Sequence, residues 1–310
     1  MIAKLYSSVQ QLKENNRDVW RYLYKVNKLI VNICYPITQL LNSSIGVDER
    51  SDVIVSLTTY PARIKTVWVT IASLLGQSYK PRKVILYLSR EQFNINYRLP
   101  NSLVRLQKRG LEIVFVEDDL KPHKKYLYAL QEFPEYKIIT ADDDILYPED
   151  HIERFMTASR KYPDAVICDW SHKIAFKSVE EGTFINYNDW EDNATSEPDL
   201  FTIPVGCNGV MYKPVFFDET VFDINTIKAI SLYTDDLWLK VMEVRNGIKA
   251  FNCSKEPLIY FNNIFTMKTG LWHVNTSEDN RNDKVWNNLM NKYPETVEMF
   301  CEEYAGESCE

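Results

Sequence analysis

Glycine is scarce in this chain, with nine among 310 residues, which excludes collagen-like and flexible-linker composition. Histidine is scarcer: His123, His151, His172 and His273 are the four, and they are dispersed. The six cysteines, Cys34, Cys168, Cys207, Cys253, Cys301 and Cys309, contain no CxxC pair and no disulfide framework. Zinc is therefore not expected, and reduced thiols in a cytoplasmic protein are. No apolar run reaches the ~18 residues of a membrane-crossing helix. The opening MIAKLYSSVQQLKENN lacks the apolar core and cleavage site of a signal peptide. Positive charge is in deficit, with a net charge of −7, so no nucleic-acid partner is expected. Any phosphate-bearing ligand must be small and neutralised locally.

What is present is ordinary for a globular protein: 45% hydrophobic and 25% charged residues, enough for one large or two small domains. Aromatic residues are plentiful (19 Tyr, 14 Phe, 7 Trp), which fits a well-filled core or platforms on which sugars or bases stack.

The pattern divides the chain. Residues 1–46 read as a helical extension, with Trp20, Tyr22, Leu23, Val26 and Leu29 at helical spacing and Pro36 interrupting the apolar stretch 29–41. The polar, turn-rich NSSIGVDERSD (42–52) marks a boundary. A main domain over 47–275 follows, in halves 47–150 and 151–275, and then a C-terminal helical segment, 276–310. In the first half, β-branched runs at 53–57, 83–88, 111–116 and 137–140 alternate with helical patterns at 66–77, 99–109 and 122–132. Strand and helix in alternation predict an α/β fold, with a Rossmann-like, mostly parallel central sheet and helices on both faces. The strands are too apolar to alternate, as expected when both faces are buried. Further on, the expectation is a strand at 165–169, hairpins and loops over 171–200, a helix at 234–246, strand over 250–262 and helix over 280–304.

Ligands of such sheets bind beyond the carboxyl ends of the strands. Thr58–Tyr60, Ser89, Glu117–Asp119 and Asp142–Asp144 all fall there. Three adjacent aspartates in IITADDDILYP repel one another unless something positive stands among them. A hard cation compensates such carboxylates and bridges phosphate oxygens. The structural alternative is an acidic cap for the following helix, for which one aspartate suffices. Asp235 and Asp236, in YTDDLWLK, begin a helix; capping is the structural alternative for one of the two, and the other can serve as a general base if it faces the pocket. Lys121, Lys124 and Lys125 at a helix start oppose the helix dipole, which suggests an anionic partner, and Arg63 reads the same way. His273 is either a structural hydrogen bonder or a third ligand to the metal.

Taken together, SLTTYPARI, LLGQSYKPRKVILYLS, DDLKPHKKYLYAL, ITADDDILYPED, GCNGVMYK and TDDLWLKVMEVRNGIK resemble, in that order and over about 52–275, glycosyltransferases of the GT-A fold, family 2 type. The resemblance implies an inverting, metal-dependent hexosyltransferase. It would move a sugar from a nucleotide sugar, most simply UDP-linked, to a saccharide or lipid-linked oligosaccharide. Capsule, O-antigen or other surface polysaccharide synthesis in bacteria is the implied setting, at the cytoplasmic face of the inner membrane. It places Thr58, Thr59, Tyr60 and Arg63 in the nucleotide pocket and Lys124 or Lys125 near base and phosphate. Asp142 and Asp144 match the D-x-D that holds Mg²⁺ or Mn²⁺, with Asp143 beside the donor. Gly206 and Gly209 border the acceptor, Asp236 matches the base, with Asp235 its rival, and His273 matches a downstream metal or phosphate ligand. The chain departs from the family pattern at Ala141, where an aspartate is common, at Asp235, where glutamate is common, and at Ser89, where an aspartate often meets the base. Residues 1–46 have no counterpart; their basic and apolar character allows a peripheral membrane contact. The alternatives on the same fold are a retaining transferase and a catalytically silent sugar-binding scaffold.

Overall fold

The computed structural model describes residues 1–13, 17–254, 260–269 and 280–307. The first elements are α1 (Ile2–Lys13), α2 (Arg17–Leu40), β1 (Val53–Thr58), α3 (Val67–Leu74), β2 (Lys83–Ser89), α4 (Asn101–Gln107) and β3 (Leu111–Val116). Then come α5 (Lys124–Glu132), β4 (Lys137–Ala141), β5 (Ile145–Leu146), α6 (His151–Lys161), β6 (Val166–Cys168), β7 (Ser171–Lys173), β8 (Phe176–Ser178), β9 (Thr183–Phe184) and β10 (Glu191–Asp192). The last are β11 (Thr202–Pro204), β12 (Val210–Tyr212), the one-turn α7 (Ile224–Thr226), α8 (Asp235–Arg245), β13 (Ala250–Asn252), β14 (Phe261–Asn262), α9 (Arg281–Lys292) and α10 (Glu295–Glu307). The chain is α/β with mostly parallel central strands, and it forms two compact units.

The first unit comprises Met1–Asp119, Ala141–Arg154 and Ile259–Gly270. Here β1, β2 and β3 run parallel with β2 in the middle, pairing Val55 with Val84 and Leu86 with Ile113. VIVSLT and KVILYLS are buried along nearly their whole length, which is why they read as continuous apolar runs. Antiparallel β5 and β14 form a short ribbon. The N-terminal helices are part of this unit. Glu149 accepts from the amides of Ile2 (3.0 Å) and Ala3 (2.8 Å) and pairs with the Met1 ammonium (2.5 Å), satisfying the exposed donors at the start of α1. Tyr6 meets Tyr260 and Phe261 edge-on, and Tyr24 Oη donates to the Tyr260 carbonyl. Asn32 donates to the Asn262 carbonyl (3.1 Å) and accepts from the Ile264 amide (3.0 Å).

The second unit comprises Leu120–Thr140, Phe155–Leu258 and Leu271–Glu310. Strand β12 lies between β4 and β6 and runs antiparallel to both, while β6 pairs parallel with β13. Between residues 171 and 204, β7 takes β10 and β11 as antiparallel neighbours, and β8 and β9 form a hairpin that turns at Gly182, whose φ of +61° suits glycine.

Three expectations change. Helix α2 runs through Pro36 to Leu40. The backbone hydrogen bond lost at the proline is outweighed by packing on that inner face, where Val31, Asn32 and Tyr35 are buried and Tyr35 Oη reaches the Ala72 carbonyl. The single helix expected over 280–304 is two helices, because Pro294 has no amide to continue α9 and sits just before the start of α10. The strand expected over 250–262 is only its two ends, β13 and β14; residues 255–259 between them lie outside the described ones.

Candidate functional site

The three aspartates leave β4 in a turn whose side chains diverge. Asp143 is buried, whereas Asp142 and Asp144 are half-buried. Asp143 takes a 2.5 Å bond from Thr59 Oγ1 and a 2.5 Å ion pair from Arg63. The second Arg63 nitrogen reaches Asp144 at 3.1 Å. The planar guanidinium thus bridges neighbouring carboxylates, a geometry lysine does not offer. Thr70 Oγ1 donates to the Asp143 carbonyl (3.1 Å), the Asn263 amide to the Asp144 carbonyl (2.7 Å), and the Asp142 amide to the Tyr147 hydroxyl (2.9 Å). Burial raises the pKa of Asp143, with Arg63 and Thr59 opposing. Burial, then the Asp143 charge, raises Asp144 to about 7; Asp142 adds to the rise and Arg63 opposes it. Arg63 itself is held protonated by Asp143 and Asp144.

Thr58 and Tyr60 stand beside this cluster in the chain. Thr58 Oγ1 bonds the Tyr87 carbonyl (2.9 Å), stitching β1 to β2, and the Tyr60 ring centroid lies 5.6 Å from the Arg63 guanidinium. Thr70, Tyr147 and Asn263 were not legible as site residues. Thr70 lies in an apolar helix and Asn263 is more than a hundred positions downstream, and no local pattern marks either. His273 lies outside the described residues.

The second unit holds a charged cluster of its own. Lys124 and Lys125 are buried, and Lys125 pairs with the buried Asp235 at 3.0 Å. Asp236 is half-buried and accepts from the Gly206 amide (3.2 Å). A Cβ on Gly206 would stand 2.6 Å from Asp236 Oδ1 and 3.0 Å from Lys125 Nζ, so a side chain here would push these two side-chain ends aside. Gly209 follows with φ +90°. His123 is fully buried: one ring nitrogen meets the Ser231 carbonyl (2.8 Å), a contact that needs a donor, and the other meets Tyr126 Oη (2.9 Å). Burial lowers its pKa to about 4, so it is neutral at pH 7.

Among the described residues no three His, Cys, Asp or Glu side chains are grouped to enclose a metal. A pair of half-buried carboxylates suits Mg²⁺ or Mn²⁺ instead, because these cations keep waters and take phosphate oxygens beside one or two carboxylates. The raised Asp144 supports the fit: positive charge beyond Arg63 is accommodated there. Among the described residues, no helix is long and apolar enough to cross a membrane.

No protein-family model matches the chain, and no curated protein does. Solved structures similar to it include TarS of S. aureus in complex with UDP-GlcNAc, at 12% identity and a TM-score of 0.41, covering 65% of this chain and 56% of that one. Less than two thirds of TarS is thus spanned. The mannosyltransferase PcManGT from Pyrobaculum calidifontis, in complex with GDP-Man and Mn²⁺, is similar at 12% identity and a TM-score of 0.44, over 92% of this chain and 86% of that one. A 4-diphosphocytidyl-2C-methyl-D-erythritol synthase from Anaerococcus prevotii is similar at 11% identity and a TM-score of 0.38, over 63% and 83%.

Proposed function

We propose that the protein is a metal-dependent glycosyltransferase that moves a hexosyl group from a nucleotide sugar, UDP-linked by preference, to a saccharide hydroxyl. The observation that carries this reading is the splayed aspartate triplet. Asp143 is tied down by Thr59 and Arg63, and Asp142 and Asp144 stand half-buried beside it with excess negative charge. That arrangement suits a cation and diphosphate together better than a helix cap.

Asp142 and Asp144 are the proposed holders of Mg²⁺ or Mn²⁺, which when bound supplies charge neutralisation for the departing diphosphate. Arg63 ties Asp144 to the buried Asp143, and Thr58, Thr59 and Tyr60 border the nucleotide. His273 is kept as a further metal or phosphate contact. Asp236 is the proposed general base: it takes the proton of the acceptor hydroxyl, whose oxygen attacks the anomeric carbon as the bond to the nucleoside diphosphate breaks, inverting that centre. The Gly206 amide fixes the Asp236 carboxylate. Asp235 is the weaker candidate because Lys125 engages it. Lys124 and Lys125 are kept near the nucleotide, with Lys125 also setting the charge of the acidic pair. The acceptor class is a saccharide or lipid-linked oligosaccharide of a bacterial surface polysaccharide, handled on the cytoplasmic side.

The test is release of nucleoside diphosphate from a panel of UDP- and GDP-sugars, with Mn²⁺ and with EDTA, with the product anomer read by NMR. The expected result is metal-dependent transfer, lost in Asp142→Ala and in Asp236→Asn, with only the first variant also losing donor binding. Full activity in both variants would sink the reading. Formation of a nucleotide sugar from sugar phosphate would replace it with nucleotidyl transfer.

A further inference from the structure

Helix α2 carries a surface that the proposed reaction does not use. Val19, Tyr22, Leu29, Ile30, Ile33, Ile37 and Leu40 are exposed on it, Tyr22 by 68%, Ile33 by 53% and Ile37 by 58%, and Leu41 just beyond is 89% exposed. At the helical period these side chains share an arc of about 120°, with Val26, half-buried, in the same arc. The opposite side holds Val31, Asn32 and Tyr35, which are buried, so the helix is fixed and its apolar stripe is permanently presented. Scattered exposed apolar residues are ordinary; a continuous stripe seven residues long on one helix is not.

The charges around the stripe indicate its occupant. Arg21 and Lys25 are exposed on one flank of the stripe, while Lys28, half-buried on the packed side, is turned toward the Asp144 charge. Asp18 is the one acidic residue from 17 to 41, on a chain whose net charge is −7. A second copy of the helix would bring Arg21 and Lys25 against a single acidic residue, Asp18. A bilayer with anionic headgroups satisfies both halves: acyl chains take the stripe, while Arg and Lys stems reach along the interface to phosphates. We propose that α2 is an interfacial anchor that lays the protein flat on an anionic membrane, burying Tyr22, Leu29, Ile33, Ile37 and Leu41. The stripe lies on the side of α2 away from Lys28, which senses the Asp144 charge, and vesicle binding is measured apart from the transfer reaction.

The experiment is co-sedimentation of the full chain with phosphatidylcholine vesicles, with and without phosphatidylglycerol, at low and high salt. The wild type binds the anionic vesicles, and high salt weakens that binding. Ile33→Asp with Ile37→Asp lowers the partition coefficient at least about tenfold, since two buried side chains and two added charges both oppose insertion. Arg21→Glu with Lys25→Glu removes the preference for anionic lipid. Circular dichroism and the thermal midpoint confirm that the variants fold, and the salt dependence of the wild type tests the proposal without any variant. The proposal is overturned if the wild type binds neither vesicle or binds both equally, or if folded Ile33→Asp, Ile37→Asp protein binds undiminished. A concentration-dependent dimer that this variant dissolves, without vesicle binding, would make the stripe a self-association face instead.

Discussion

Replacing Gly206 by alanine tests the geometry of the second cluster with a single methyl group. The added Cβ would lie 2.6 Å from Asp236 Oδ1, and ordinary contact begins at 3.4 Å, so the two groups must part by about 0.8 Å. The Gly206 backbone is not in the left-handed region, so the change acts through this contact and the 3.0 Å approach to Lys125 Nζ, not through chain strain. Opening the contact also stretches the 3.2 Å bond from the Gly206 amide to Asp236. Overpacking of this kind costs about 1–3 kcal/mol of stability. Displacing a catalytic group by nearly an ångström costs about a hundredfold in rate. Gly206→Ala should therefore stay folded, with a thermal midpoint a few degrees lower, while kcat falls about a hundredfold and donor affinity changes little. The assay is steady-state release of nucleoside diphosphate beside a melting curve. A second comparison isolates the cause: in an Asp236→Asn background the same substitution should add almost nothing, because the group it displaces no longer acts as a base. If Gly206→Ala retains kcat within twofold, or multiplies the loss of Asp236→Asn in full, Asp236 is not positioned through Gly206 and the reasoning fails.

Two further outcomes follow from buried charge. Arg63→Met leaves Asp143 without its cation in a buried setting and should cost about 3–5 kcal/mol in denaturant unfolding; adding Asp143→Asn should restore much of it, and a loss under about 1 kcal/mol would show that the pair is not closed in solution. His123 is neutral when folded, with its pKa lowered from 6.5 to about 4, so the unfolded chain binds more protons between these values. Its contribution to stability is full above pH 6.5 and is lost as pH falls toward 4, by about 3 kcal/mol in total. His123→Gln should flatten that part of the stability–pH curve, and an unchanged slope would place the proton uptake elsewhere.

Much of the fold was legible because its signals are local. The runs VIVSLT, KVILYLS and LEIVFV announce buried parallel strands through composition alone, and the triple aspartate stands out wherever it is placed. The break between α9 and α10 was also within reach, since Pro294 carries its own signal, but helical periodicity on both sides concealed it. Helix α2 shows the converse: Pro36 has a real local cost, which packing of Asn32 and Tyr35 overrides. Nothing local could reveal that Asp143 would turn to Arg63, eighty positions earlier, or that Lys125 would pair with Asp235, a hundred and ten positions later.

The sequence by itself determined the α/β class and the position of the acidic turn at a strand end, because side-chain periodicity and adjacency along the chain are enough for both. It also determined that the N-terminal segment is helical, apolar and basic. Only the tertiary structure decided which carboxylate is buried and which stand half-buried, what a side chain at Gly206 would meet, and which side of α2 faces outward. Those outcomes depend on distances between segments remote in sequence. A carboxylate's charge, the room beside a glycine and a helix face's exposure are set by what the fold brings within a few ångströms.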